Sequence, residues 1–182
     1  GFIADIRTVI KSIPQQRQTL LFSATMPAEI QKLANEILRQ PEFIEIARQG
    51  TTASGVRQVV YPVDTTRKSD LLVHLIEKEQ MSKVLVFTRT KNRAEKLATH
   101  LNRKGSMAEA IHGDKSQRER TQALQAFRNG DVQVLVATNV AARGLDVKEI
   151  SHVVNYEMPD APEDYLHRIG RTARAEKTGD AI

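Results

Sequence analysis

The sequence predicts an α/β protein built on a parallel β-sheet with helices on both faces, and three observations carry that prediction. Near-continuous Val/Leu/Ile runs, such as Lys83-Val84-Leu85-Val86-Phe87 and Val132 to Ala137, have the composition of strands buried on both sides. These runs alternate with amphipathic segments of helical period, the order that builds parallel crossovers. The turns that follow the strands are rich in hydroxyls, glycine and arginine, at the edge where open parallel sheets bind ligands.

Taken in order, Ile3, Ile6, Ile10 and Ile13 at helical spacing before Pro14 predict a short amphipathic helix over residues 2–13. Thr19-Leu20-Leu21-Phe22 has the pattern of a compact apolar strand ending at Ser23-Ala24-Thr25. A helix with Ile30, Leu33, Ala34, Ile37 and Leu38 inward follows, then Pro41 and a strand Phe43-Ile44-Glu45-Ile46. This α, β, α, β segment is too small for a core of its own, so residues 1–46 are expected to be the tail of a preceding domain. Its strand at Leu20 to Phe22, having lost its neighbours, is expected to be mobile, to pack opportunistically, or to pair with another molecule. Residues 47–55, small, polar and glycine-bearing, read as a flexible linker.

Residues 56–182 are regular and predict the main domain. Strand 57–63 precedes a helix using Leu71, Leu72, Leu75 and Ile76. Strand 83–87 leads to a helix with Ala94, Leu97, Ala98 and Leu101, stopped by Gly105. A short strand near Met107 to Ile111 precedes a helix opened by the capping box Ser116-Gln117-Arg118-Glu119 and closed by Asn129-Gly130. Strands 132–137 and 152–156 come next. Gly179-Asp180-Ala181-Ile182 has the pattern of a strand that has only begun, and with no initial Met the chain is expected to be a piece of something longer.

A net charge of +5 and a pI near 9.6 favour a polyanionic partner, although basic surfaces also serve solubility. The absence of cysteine rules out disulfides and thiolate metal sites and fits a reducing, cytoplasmic setting. No apolar run approaches a membrane span, so no membrane role is expected.

The densest cluster of charge is Tyr165 to Arg174, where His167, Arg171 and Arg174 fall at i, i+4 and i+7 on one face of a predicted helix. Leu166, Ile169 and Ala173 lie opposite, so one face docks while the other points guanidiniums outward. Asp160 is positioned to cap this helix, with Pro162 in its first turn and Glu163 reaching back. Such a cluster is either a solvated basic face or a site that meets an anion.

Three turns after strands hold candidate ligands: Thr88, Arg89 and Thr90; His112-Gly113-Asp114; and Thr138 through Asp146, which includes Arg143 and Gly144. Asp146 suits a ribose hydroxyl or a metal, and equally a cap or a salt bridge to Arg143. Gln117 and Arg120 suit a phosphate or a solvated helix face. His112 and His167 lack companions at ligand spacing, so a metal is not expected there. A phosphate-cradling loop is missing: Gly113-Asp114-Lys115-Ser116 has Asp where Gly belongs and lacks the upstream Gly. No Asp-Glu pair to hold Mg²⁺ is present either.

Taken together, these residues resemble the DEAD-box ATP-dependent RNA helicases, with the nearest likeness to the bacterial RhlE-like branch, over essentially the whole chain. Ser23-Ala24-Thr25 resembles the motif that ends the first RecA-like domain, Val86 through Thr90 motif IV, and Gln117 with Arg120 the Q-x-x-R motif. Thr138 through Asp146 resembles motif V and His167 through Arg174 motif VI. The resemblance implies a RecA-like C-terminal helicase domain, with ATP and RNA bound across a cleft to the N-terminal RecA-like domain. That domain would supply the phosphate loop and the Mg²⁺ ligands. By resemblance, Arg171 and Arg174 are arginine fingers on the γ-phosphate and Asp146, with the backbone at Gly144, holds the ATP ribose. His167 and Arg143 bridge to the other domain, Thr90, Arg120 and Thr138 contact RNA phosphates, and Ser23 and Thr25 couple hydrolysis to closure.

Two positions depart from the family pattern. Asn139 stands where motif V usually has Asp, which removes a charge and is expected to weaken an internal hydrogen bond. Ala173 replaces the usual Gly, a change that favours helix by about 1 kcal/mol. Without its phosphate loop the chain is expected not to hydrolyse ATP by itself. The alternatives are a stand-alone RNA-binding or protein-docking module, and a DNA-directed relative in the same superfamily.

Overall fold

The computed structural model describes residues 2–23, 25–45, 55–142, 147, 149–172 and 178–182. The chain divides into two compact units, Gly1–Thr51 and Thr52–Ile182.

In the first unit, α1 (Ile3–Ser12) and α2 (Ala28–Ile37) form where the periodicity predicts helices, and α2 buries Leu33 and Ala34. A bidentate ion pair of Arg7 with Glu36, at 2.9 and 2.8 Å, joins the two helices. The strand predicted at 19–22 is absent, as is strand character at 43–45, and Ile46 lies outside the described residues. Both segments run as irregular chain, with Phe22 89% and Ile44 85% exposed. Among the described residues neither has a strand alongside to satisfy its backbone, and pattern alone does not make a ladder.

The second unit begins at the end of the predicted linker, of which only Gly55 is described. Its described strands are β1 (Val56–Gln58), β2 (Val84–Thr88), β3 (Ala108–Ile111), β4 (Val134–Thr138), β5 (His152–Val154) and β6 (Gly179–Ala181). They form one sheet in the order β1-β6-β5-β2-β4-β3, and every pairing is parallel. The strand predicted over 57–63 shortens to three residues, because its partner β6 offers only Gly179, Asp180 and Ala181 to bond against.

Successive side chains of β2 and β4 point to opposite faces, which sorts the core into two halves. Val84, Val86, Val134 and Val136 pack with Leu72, Leu75 and Ile76 of α3 (Lys68–Lys78) and with Leu97 and Leu101 of α4 (Lys91–Arg103). Leu85, Phe87 and Leu135 pack on the other side with Phe127 of α5 (Gln117–Asn129) and with Ala141 and Ala142 of α6 (Asn139–Ala142). The predicted capping box is formed: Ser116 Oγ accepts from the Glu119 N–H at 3.3 Å and Glu119 Oε2 accepts from the Ser116 N–H at 2.7 Å. Gly130 closes α5 at φ +90°, a conformation that favours glycine.

Near the amino ends of the strands, Ser151 Oγ accepts from the Lys83 N–H and donates to the Lys83 carbonyl, at 3.1 and 3.0 Å. His152 Nδ1, 2.9 Å from that hydroxyl, therefore carries the proton and donates. Burial holds the His152 imidazole below its ordinary value of 6.5, with Asp180 partly opposing. A base depressed by folding gives stability that is fully present above the unfolded pKa and is lost as pH falls towards the folded one. The thermal midpoint is therefore expected to drop between about pH 7 and pH 5, with part of that drop removed in His152→Asn.

Candidate functional site

The register of β2 on β4 sets Thr88 beside Thr138, so two adjacent strands end at the same level on the carboxyl edge. Two residues past β2, Thr90 leaves the sheet as the N-cap of α4, its hydroxyl accepting from the Arg93 N–H at 3.3 Å while the side chain stays exposed. Asn139 follows Thr138 directly and opens α6. Thr90 and Thr138 are thus brought to neighbouring positions. Arg120 joins the same edge through the first turn of α5, which follows β3, the neighbour of β4. Its Nε is buried with no hydrogen-bond partner among the described residues, a donor not consumed by the fold.

The turn between β3 and α5 is pinned rather than open. His112, 5% exposed, accepts at Nδ1 from the Asp114 N–H at 3.3 Å, so its Nε2 donates to Glu95 at 2.7 Å. The Lys115 ammonium, 2.8 Å away, and His112 hold the Glu95 carboxyl below the usual range, and Lys91 does the same to Asp114. His112 is a bracing residue, and no cluster of His, Cys, Asp and Glu fit for a metal ion occurs among the described residues.

The basic helix departs from its prediction at both ends. α7 spans Pro162–Ile169, with Ala161 at the N-cap and no side-chain cap. Asp160 instead lies 3.1 Å from the Arg89 guanidinium, which takes it away from the helix end. At the other end the Arg171 N–H bonds the Arg168 carbonyl and the Thr172 N–H that of Ile169, at 3.0 and 3.1 Å. These i to i−3 bonds tighten the chain into a turn. Thr172, 1% exposed, then anchors it by donating from Oγ1 to the Ile150 carbonyl at 2.5 Å. Arg171 therefore leaves from a turn, not from the helical face that carries the exposed His167.

Arg168 is assigned to neither face of the predicted helix. It is 4% exposed and reaches across the carboxyl ends of β4 and β5. Its Nε donates to Asn139 Oδ1 at 2.8 Å, and one terminal nitrogen donates to Asn155 Oδ1 at 3.0 Å and to the Glu157 carbonyl at 2.6 Å. The guanidinium carbon lies 4.9 Å from the centre of the Phe87 ring. Burial pulls its pKa below the usual range, opposed by Asp164, yet an arginine stays a cation under such pressure. Asn139 thus makes an internal hydrogen bond, as a neutral acceptor where the usual Asp would add a charge.

Glu157, 8% exposed, is the second buried charge of this edge. One oxygen accepts from the Arg89 N–H at 2.7 Å and the other pairs with Arg93, tying the segment after β5 to the start of α4. Reading the turn after a fourth strand, 152–156, alongside the other three is the signal that would have found Glu157, whereas Asn155 lies inside that predicted strand.

Of the other predicted residues, Ser23 and Thr25 lie in the first unit, where Ser23 Oγ donates to the Thr25 carbonyl at 2.5 Å. Arg143, Gly144, Asp146, Ala173 and Arg174 lie outside the described residues.

An all-parallel sheet covered on both faces, with hydroxyls and guanidiniums gathered at its carboxyl edge, defines a RecA-like α/β domain. Residues 67–176 match the helicase conserved C-terminal domain model. The chain belongs to that family, within its DEAD-box branch. It is 46% identical over all 182 residues to the DEAD-box ATP-dependent RNA helicase CshA of Bacillus subtilis, covering 37% of that protein. It is also 46% identical to the ATP-dependent RNA helicase CshA of Listeria monocytogenes, over all of this chain and 35% of that one. The chain thus spans little more than a third of the curated relatives it matches. Among solved structures, S. cerevisiae Dbp5 L327V bound to RNA and ADP BeF3 superposes with a TM-score of 0.86 at 30% identity, over 98% of this chain and 48% of that one. E. coli SrmB bound to RraA gives 0.64 at 39% identity, over 74% and 77% of the two chains.

Proposed function

We propose that this chain is the C-terminal RecA-like half of an ATP-dependent RNA helicase, preceded by the last pieces of the N-terminal half. The observation that carries the reading is the carboxyl edge. Thr90 and Thr138 leave adjacent strand ends, Arg120 offers an unpaired donor nearby, and Arg168 locks α7 to the same edge. Hydroxyl and guanidinium donors of this kind hold phosphates without reading bases, which suits a sequence-tolerant RNA partner.

In this reading Thr90, Thr138 and Arg120 grip the RNA backbone, while the turn after α7 presents Arg171 to nucleotide held by the N-terminal domain. ATP, when bound, supplies the phosphoryl group transferred to water. Arg171 and Arg174 neutralise charge there, Asp146 and the Gly144 backbone hold the ribose, and His167 and Arg143 meet the opposite domain. Ser23 and Thr25 transmit closure. A guanidinium on a pinned turn fits a phosphate, since its position costs little to organise on binding. No Mg²⁺ ligand set occurs among the described residues, so the ion belongs to the N-terminal domain in this proposal and no step of this chain passes through it. The absence of cysteine suits a cytoplasmic enzyme. The finer placement in the RhlE-like branch rests on the sequence resemblance, whereas the relatives compared carry the name CshA.

The test is ATP turnover with and without RNA, for the full-length protein and for this chain by itself. RNA-stimulated hydrolysis by the former and none by the latter is expected. Turnover by the isolated chain, or stimulation by DNA equal to that by RNA, contradicts the reading.

A further inference from the structure

A cavity of about 590 Å³ opens between the first turn of α3, the stretch of α4 from Arg93 to His100 and the segment after β5, with Arg89, the residue before Thr90, in its wall. Four cationic side chains line it: Lys68, Arg89, Arg93 and Lys96. Facing them are Glu157, whose two oxygens are already taken by Arg93 and the Arg89 N–H, and Asp160 on Arg89. Lys68 donates to the Tyr156 carbonyl at 3.0 Å and covers the Tyr156 ring at 5.6 Å. Lys96 is exposed and has no carboxylate partner among the described residues. His100 adds a buried Nε2 that lies 3.2 Å from Asp70 without making a hydrogen bond. The wall therefore carries more positive charge than its own carboxylates offset.

A solvated basic face would spread such charges over a convex surface. Here they converge on a concavity whose size falls within the range of roughly 300–1,000 Å³ typical of ligand sites. Arg93 and Lys96 stand three residues apart on α4, one helical turn, so they offer two cationic contacts in series. That suits a chain of repeating phosphates better than a single small anion. The α4 turn that begins with Thr90 also supplies Arg93 to the cleft, so the cleft starts within one helical turn of Thr90.

We propose that this cleft is a second RNA-backbone site, which holds the phosphodiester strand flanking the segment gripped by Thr90 and Thr138. The proposal rests on the RNA-helicase reading above and adds to it a length dependence. Lys96 is the residue to vary, because it is exposed and makes no contact that the fold needs.

Binding of oligouridylates of increasing length is measured on the full-length helicase with a non-hydrolysable ATP analogue, comparing wild type, Lys96→Glu and Lys96→Arg. On the shortest RNA that wild type binds, the three proteins are expected to agree. On longer RNA, Lys96→Glu is expected to bind about 5–10-fold more weakly, with a salt slope lower by about one, while Lys96→Arg keeps wild-type behaviour. Equal binding by wild type and Lys96→Glu at every length overturns the cleft while leaving the helicase reading intact. Uniform weakening at every length makes Lys96 part of the main track and also overturns it. Failure of wild type to bind RNA at any length defeats the underlying reading instead.

Discussion

Arg171→Ala in the full-length protein is expected to cut RNA-stimulated ATP turnover by on the order of 10³- to 10⁵-fold, the range lost when an arginine finger is removed, with RNA binding retained. The size follows from how the residue is held. The Arg171 N–H bonds the Arg168 carbonyl, Arg168 is locked to the carboxyl ends of β4 and β5, and Thr172 is fixed to the Ile150 carbonyl. A backbone anchored at Arg168 and Thr172 fixes where the Arg171 side chain starts, so less of the chain has to be reorganised to bring its charge to the phosphate. Arg171→Lys keeps the charge but loses the planar fork, and should recover only a small part of the rate. Single-turnover hydrolysis beside RNA affinity separates the outcomes. A rate within a few-fold of wild type, or a loss of RNA affinity that accounts for the whole defect, would remove Arg171 from the phosphate.

How much of this was legible in the sequence depended on what each signal physically reports. Helices α1 to α5 were readable because their apolar spacing and end signals, such as Ser116 with Glu119 and the glycine at 130, act locally. Strands β2 and β4 were readable because both faces are buried, which leaves an unbroken apolar run. Strand pattern failed at Leu20 to Phe22 and beyond Gln58, where the ladder depends on a neighbour that a local pattern cannot supply.

The candidate site divides in the same way. The place of the threonines at the carboxyl edge was legible because that edge is a rule of topology. Arg168 was missed because helical spacing groups His167, Arg171 and Arg174 on one face and gives no sign of where an arginine between the two faces turns. An arginine turned inward is intelligible only once Asn139, Asn155 and the Glu157 carbonyl, remote in sequence, are seen to converge. The one hint was Asn139 itself, a departure that made sense only with its partner in view.

Removing that inward arginine is expected to give a large loss of stability in the domain. Arg168→Ala leaves the Asn139 and Asn155 amide oxygens and the Glu157 carbonyl without their donor, and uncovers the Phe87 ring. Each stranded acceptor costs about 1–3 kcal/mol when water cannot reach it, and the two amides are only half-buried, so a total of about 3 kcal/mol is expected. In a unit of this size that corresponds to a fall in the thermal midpoint on the order of 10 °C. Arg168→Lys should behave much like the Ala variant, because one ammonium on a flexible stem cannot serve Asn139 and Asn155 at once in the geometry of the guanidinium fork. The opposite change is as informative. Asn139→Asp places a carboxylate where Arg168 Nε already donates, which turns a neutral acceptor into a charged one and should raise the midpoint through a gain of about 1 kcal/mol. Thermal unfolding of the three variants decides the matter: an unchanged midpoint in Arg168→Ala would mean that the strut carries no stability, and a lowered one in Asn139→Asp would mean that the buried guanidinium does not lack a counter-charge.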